Sequence, residues 1–252
     1  MKLLAIDTST EACSAALMID GEILEHYCLA PREHARLILP MIDELMSAAG
    51  LKPVDLNGLA FGRGPGAFTG LRIAASVAQG IAFAADLPVV PVSSLAALAQ
   101  GVYRKKGRSH ILAAIDARIK EVYWGAYQCD DQGLVQLYGE ELVCSPSQVP
   151  LPGGEDWYGA GTGWQTYLPL LQNRLGKAVS RCDGQAFPAA FDVAVLGAAA
   201  FITSGLISIK LRSFSMNNRY RLIITLARLP MVCCGISMAK PICRHWSKCP
   251  AP

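Results

Sequence analysis

The sequence predicts an α/β protein of two lobes built on one repeated plan. Two stretches, beginning near Lys2 and near His110, each read as three consecutive strands. The first strand of each ends in an aspartate and a short turn, Asp7-Thr8-Ser9 and Asp116-Ala117-Arg118. Strands then alternate with alanine-rich helical segments, so each lobe reads as βββαβα. At 252 residues, 52% hydrophobic and 17% charged, the chain has enough apolar material for a substantial core and too little charge for disorder.

Residues 2–7 form an apolar run that predicts a buried first strand. Residues 13–19 and 22–29 flank Asp20-Gly21, a two-residue hairpin signal. After Pro31, residues 35–49 predict a helix with Leu37, Met41, Leu45 and Ala48 on one stripe and Ile38, Ile42 and Met46 beside it. Pro40 predicts a kink or a separate first turn, and Gly50 marks the end. Residues 56–62 are a fourth strand. It leads into Gly62-Arg63-Gly64-Pro65-Gly66-Ala67-Phe68-Thr69-Gly70-Leu71-Arg72, where glycines permit positive φ and close backbone approach. Thr69 is the expected N-cap of an alanine-rich helix running to residue 85, which presents Leu71, Ala74 and Ala78. Residues 87–92 are a fifth strand, and 93–104 a helix capped by Ser93 or Ser94.

Lys105-Lys106-Gly107-Arg108 reads as a flexible connector, dividing a lobe of residues 1–104 from one of 105–201. Strands at 110–116, 121–128 and 134–143 open the second lobe, with Asp130-Asp131-Gln132-Gly133 as a turn. The turn Gly159-Ala160-Gly161-Thr162-Gly163 and an alanine-rich helix at about 192–200 complete it.

Charge is split along the chain. Residues 201–252 hold eight of the 23 Lys and Arg and none of the 20 Asp and Glu, so the first 200 residues carry a net −5 and the rest +8. Four of the nine cysteines, Cys233, Cys234, Cys243 and Cys249, fall in this tail. No C-x-x-C pair occurs there, which leaves zinc without a common ligand spacing. A basic nucleic-acid arm is one reading, but apolar runs such as Leu222-Ile223-Ile224 interrupt it. The abrupt change near Ile202 reads most simply as an altered reading frame, making residues 202–252 an atypical, out-of-frame tail. Asp7 interrupts the opening apolar run and no cleavage site follows, so no signal peptide is expected. Residues 73–92 and 193–209 are apolar but broken by polar residues, so no membrane span is expected and the cytoplasm is the expected location.

Two lobes with carboxylate-ended first strands point to the actin-like ATPase and sugar-kinase architecture, in which the turn after each first strand holds phosphate. Three motifs narrow this further. Ala5-Ile6-Asp7-Thr8-Ser9-Thr10, then Gly64-Pro65-Gly66-Ala67-Phe68-Thr69-Gly70-Leu71-Arg72, then Asp116-Ala117-Arg118 followed by Glu121-Val122-Tyr123-Trp124-Gly125 resemble, in order and spacing over residues 1–200, the TsaB family, also called YeaZ. The resemblance implies a non-catalytic relative of TsaD. It implies a role with TsaD and TsaE in attaching a threonylcarbamoyl group to N6 of adenosine 37 in tRNAs reading codons that start with A. It further implies that ATP and metal belong to those partner subunits and that tRNA is met through the complex. The helices bearing Leu37, Ile38, Met41, Ile42, Leu45, Leu71, Ala74 and Ala78 would pack against the matching pair of TsaD, or against a second copy when TsaD is absent. The family's usual closing segment, a Pro-Val-Tyr-Leu-Arg-like motif, has no match in the tail.

The chemistry-bearing residues fit that implication. The only histidines are His26, His34, His110 and His245, so no pair three or four apart exists to hold a metal. No local signature marks a peptidase nucleophile with its base. Asp7 is the strongest catalytic candidate, but capping its own turn through the amides of Ser9 and Thr10 is the favoured reading. Asp7, Thr8, Ser9, Gly64, Gly66 and Thr69 make a vestigial phosphate or anion site, and the glycine loop serves mainly to set the angle of the docking helix. Asp116 and Arg118 are expected to form an ion pair bracing the second lobe, and Tyr123, Trp124 and Tyr127 to pack along a strand. Two other readings stay open: an ATP-dependent small-molecule kinase with phosphate at both turns, and a tRNA-binding protein using the basic tail.

Overall fold

The structure, a computed structural model, describes residues 1–154 and 156–203. The tail expected from residue 202 lies outside the described residues apart from Ile202 and Thr203.

The first half runs β1 (Lys2–Asp7), β2 (Ala12–Ile19), β3 (Glu22–Leu29), α1 (His34–Ala48), β4 (Gly58–Gly64), α2 (Phe68–Ala85), β5 (Val89–Ser93) and α3 (Ser94–Lys106). The second runs β6 (His110–Asp116), β7 (Val122–Cys129), β8 (Val135–Leu137), β9 (Leu142–Cys144), β10 (Trp157–Ala160), α4 (Thr162–Leu175), β11 (Val179–Asp183) and α5 (Ala190–Thr203). The first sheet has the order β3-β2-β1-β4-β5 and the second the order β8-β7-β6-β10-β11, with β9 also on β7. Pairing is antiparallel across the opening hairpins and parallel thereafter in both sheets. This is the duplicated actin-like ATPase/sugar-kinase fold that the sequence predicts.

Each sheet is covered on both faces, and the last helix of each half crosses to the other half's sheet. On β1, Leu4 and Ile6 face α1 and α2, while Leu3 and Ala5 face α5 through Ala190, Val193, Ala194 and Phe201. On β6, Leu112 and Ala114 face α4, while Ile111, Ala113 and Ile115 face α3 through Leu95, Leu98, Ala99 and Val102. The alanine-rich helix near residue 192 therefore closes the first lobe rather than completing the second. Local sequence shows that it is apolar, but only the tertiary fold shows which sheet it covers.

Four local expectations change. α1 continues through Pro40 as one helix. α2 starts at Phe68 behind Ala67, which makes no side-chain cap, so Thr69 lies inside the first turn. Lys105 and Lys106 belong to α3, which Gly107 ends at φ +65°. The third strand of the second lobe is split: residues 138–141 belong to neither β8 nor β9, although the Tyr138 amide still donates to Ala126 O on β7 at 2.8 Å. By length and composition α2 could cross a membrane, with a mean hydropathy of 1.3 over 18 residues. It instead rests on the first sheet by a stripe of small residues, Gly70, Ala74, Ala78 and Ala82, with Arg72, Ser76 and Gln79 outward.

Candidate functional site

A cleft of about 560 Å³ opens between the lobes. The first lobe contributes Ser9, Thr10, Glu11, Gly66, Ala67 and Phe68. The second contributes Ile115, Asp116, Ala117, Arg118, Tyr123, Thr162, Gln165, Thr166 and Phe187. Both predicted turns and the glycine loop thus meet around one space. Arg118 Nη2 reaches Glu11 Oε1 at 3.0 Å and links the two turns.

The first turn is closed on itself. Asp7 Oδ1 accepts from the Ser9 amide at 2.9 Å and the Ser9 hydroxyl at 2.8 Å, which is the capping role expected, although Thr10 takes no part. Asp7 Oδ2 is buried with no partner, as are Thr10 Oγ1 and Ser94 Oγ. Burial pushes the Asp7 carboxyl up to about 6, against the Ser9 hydrogen bonds and the nearby His34, which pull it down. The glycine loop lies directly on this turn. A Cβ on Gly66 would come within 2.2 Å of Ser9 O, and one on Gly70 within 1.9 Å of Thr8 O. Thr8 Oγ1 donates to Gly70 O at 2.7 Å and the Ala67 amide to Ser9 O at 2.7 Å. Part of the polar inventory expected to face an anion is therefore spent on joining loop to turn.

The second turn is built differently. Asp116 Oδ1 accepts from the Arg118 amide at 2.8 Å and from Tyr167 OH at 3.2 Å, while Oδ2 faces Thr166 Oγ1 at 3.5 Å. Its own amide donates to Thr162 Oγ1 at 3.0 Å. The expected Asp116–Arg118 ion pair is replaced: Arg118 offers Asp116 its backbone and gives its guanidinium to Glu11. Arg118 and Lys120 sit at φ +73° and +63°, the left-handed region that non-glycine residues seldom occupy.

The other candidates separate by burial. His34, expected as a cap or surface group, is buried at the start of α1 with Nε2 3.2 Å from Ala12 O. Trp124 and Tyr127 are core residues as expected, whereas Tyr123 lines the cleft. Among the described residues no three His, Cys, Asp or Glu side chains are grouped to hold a metal ion.

The proposed docking stripe needs the largest correction. Ile38, Ile42, Leu45, Ala74 and Ala78 are all buried in the first lobe's own core. Leu37, Met41 and Leu71 are half-buried at its rim. The large apolar side chains that α1 and α2 leave exposed are Leu39 and Phe83, at 54% and 67%, and Phe68, at 50%, which lines the cleft and carries the Arg72 guanidinium over its ring. Helical periodicity finds the apolar stripe but does not say whether a sheet or a partner covers it. Two further residues, Glu11 and Glu141, carry interlobe contacts and have no local motif that marks them.

Comparison with known proteins fits this architecture. The family model described as "TsaD: tRNA N6-adenosine threonylcarbamoyltransferase" matches residues 28–203. The chain is 46% identical over 199 residues to the "tRNA threonylcarbamoyladenosine biosynthesis protein TsaB" of Escherichia coli (strain K12), covering 77% of this chain and 84% of that protein. It is 44% identical over 185 residues to the TsaB protein of Haemophilus influenzae, covering 69% and 78%. The solved YeaZ from Pseudomonas aeruginosa superimposes with a TM-score of 0.76 at 47% identity, over 81% of this chain and 93% of that one. These likenesses extend over both lobes, and the chain belongs to the TsaB (YeaZ) family of tRNA threonylcarbamoyladenosine biosynthesis proteins.

Proposed function

We propose that this chain is a non-catalytic subunit that docks TsaD and supports it in forming N6-threonylcarbamoyladenosine at position 37 of tRNAs reading codons that start with A. The observation that carries the reading is the α1–α2 face. Its buried stripe is satisfied by the first sheet, yet Leu39 and Phe83 stay exposed on the two helices and Leu37, Met41 and Leu71 stay half-buried. Large apolar side chains left exposed on a helix pair favour a protein partner. TsaD is the partner, TsaE joins a ternary complex, and a second copy occupies the same face when TsaD is absent. ATP and metal act in the partner subunits, none is held by this chain, and tRNA meets the complex rather than this subunit. Its workplace is the cytoplasm, and it has no membrane role.

Two experiments test this. Reconstitution with TsaD, TsaE and threonylcarbamoyl-adenylate is expected to modify tRNA only when this chain is present; equal modification without it overturns the role. Leu39→Glu together with Phe83→Glu is expected to abolish co-purification with TsaD while leaving the melting temperature unchanged, since both side chains are exposed. Unchanged co-purification removes the assigned face. Leu45→Glu is the wrong probe, because Leu45 is buried and a charge there attacks the fold.

The cleft favours one second reading, a small-molecule kinase with phosphate between the two turns. Calorimetry with ATP and magnesium separates the two. Tight binding with turnover by this chain alone supports the kinase, and its absence supports the scaffold.

A further inference from the structure

We propose that Glu141 is a positioning residue for the docking surface, fastening the root of the glycine loop, and through it α2, to the second lobe. The inference rests on the docking role above. Glu141 lies in the segment between β8 and β9, and its side chain is only 16% exposed. Donors from three separate elements converge on it. Oε1 accepts from the Ser93 hydroxyl at the end of β5 and from the Tyr127 hydroxyl on β7. Oε2 faces Arg63 Nη2 at 3.4 Å, one residue before β4 ends. Ser93 Oγ in turn accepts from the amides of Leu95 and Ala96, capping α3. One carboxylate therefore joins the ends of β4 and β5, the start of α3 and the second sheet.

The cluster is built to stay together. Tyr127 is buried, and its phenol is pushed well above the ordinary range, first by burial and then by Glu141. It remains a neutral donor whose removal from its acceptor leaves a buried hydroxyl unpaired. Charge-assisted hydrogen bonds from two hydroxyls, with a guanidinium beside them, stabilise a carboxylate that water reaches poorly. The loop that follows has no long side chains to fix it: Gly64, Pro65, Gly66 and Ala67 run from Arg63 to the first residue of α2. Its far end is held on Thr8 and Ser9, and at its entry the β4–β5 ladder through Gly62 and Gly64 is joined by the Arg63–Glu141 contact, which ties it to the second lobe.

Calorimetric titration of TsaD with wild type, E141A, E141Q, Y127F, R63A and the R63A/E141A pair tests this, with thermal unfolding of each variant alongside. E141A is expected to weaken TsaD binding about tenfold although Glu141 is not on the docking face. E141Q, which keeps an acceptor for Ser93 and Tyr127, is expected to recover part of that loss. R63A and E141A are expected to be non-additive in affinity. E141A or, where that variant does not fold, Y127F binding TsaD as wild type does overturns the inference, even with a lowered melting temperature. Wild type failing to bind TsaD overturns the docking reading instead.

Discussion

Asp7 and Asp116 end the first strands of the two lobes and look interchangeable in the sequence, yet they point to opposite faces of their sheets. Asp7 follows the alternation of Leu3 and Ala5, the side covered by α5, and is fully buried with one oxygen unpartnered. Asp116 follows Leu112 and Ala114, the side covered by α4, and takes donors from Arg118, Thr166 and Tyr167. A strand repeats every two residues, so a one-residue slip in register exchanges the faces. The duplicated turns thus do not make two copies of one site. One is a closed structural joint under the glycine loop, and the other is an open polar edge of the cleft.

The outer covers differ in the same way. α2 and α4 follow equivalent strands, β4 and β10, and each covers one face of its own sheet. The first lobe adds α1 beside α2, whereas among the described residues the second sets two short 3-10 turns, Pro146–Gln148 and Gly176–Ala178, against α4. Trp124, Trp157 and Trp164, all fully buried, fill the second lobe's face. The first lobe's face is mainly aliphatic and alanine-rich, with Phe61 as its buried ring, and it leaves an apolar rim outside. Large rings fill the one face, and the helix pair of the other leaves Leu39 and Phe83 exposed.

The largest test of this contrast is Trp164→Ala. Trp164 is buried and its indole N–H donates to Leu112 O at 2.9 Å, so its loss is expected to cost about 3–5 kcal/mol in denaturant unfolding. A loss below about 1 kcal/mol, the scale of an ordinary surface change, would mean that the rings do not close the face.

The second test concerns Asp7. Its folded pKa of about 6 lies above the ordinary 3.8, so the folded state holds its proton more tightly. The stabilisation is complete below the unfolded value and is lost as pH rises from 3.8 to about 6, a change of about 3 kcal/mol if Asp7 acted alone. Asp7→Asn is expected to flatten that part of the stability–pH curve and to raise stability at neutral pH. An unchanged curve would show that Asp7 is not the buried acid responsible.

The smallest effect is expected at Arg118→Ala. Arg118 and Glu11 are 76% and 36% exposed, so their pair should be worth at most about 1 kcal/mol and less in high salt. A larger, salt-independent loss would make this contact a structural lock between the lobes.

The local grammar is legible in the residues alone. Alternation, helical periodicity and turn residues set nearly every element, and the three motifs set the family. Asp7 binding its own turn was legible because an aspartate two residues before a free amide has few other partners. Which faces meet is set by the folded chain. It buried Ile38, Ile42, Leu45, Ala74 and Ala78 under their own lobe and left Leu39, Phe68 and Phe83 outside. It sent α3 and α5 to each other's sheets, turned Arg118 across the cleft to Glu11 and brought Glu141 to Arg63. Local patterns record how apolar a surface is and at what period. They do not record what covers it, because that depends on contacts between residues far apart in the chain, which no short window of sequence contains.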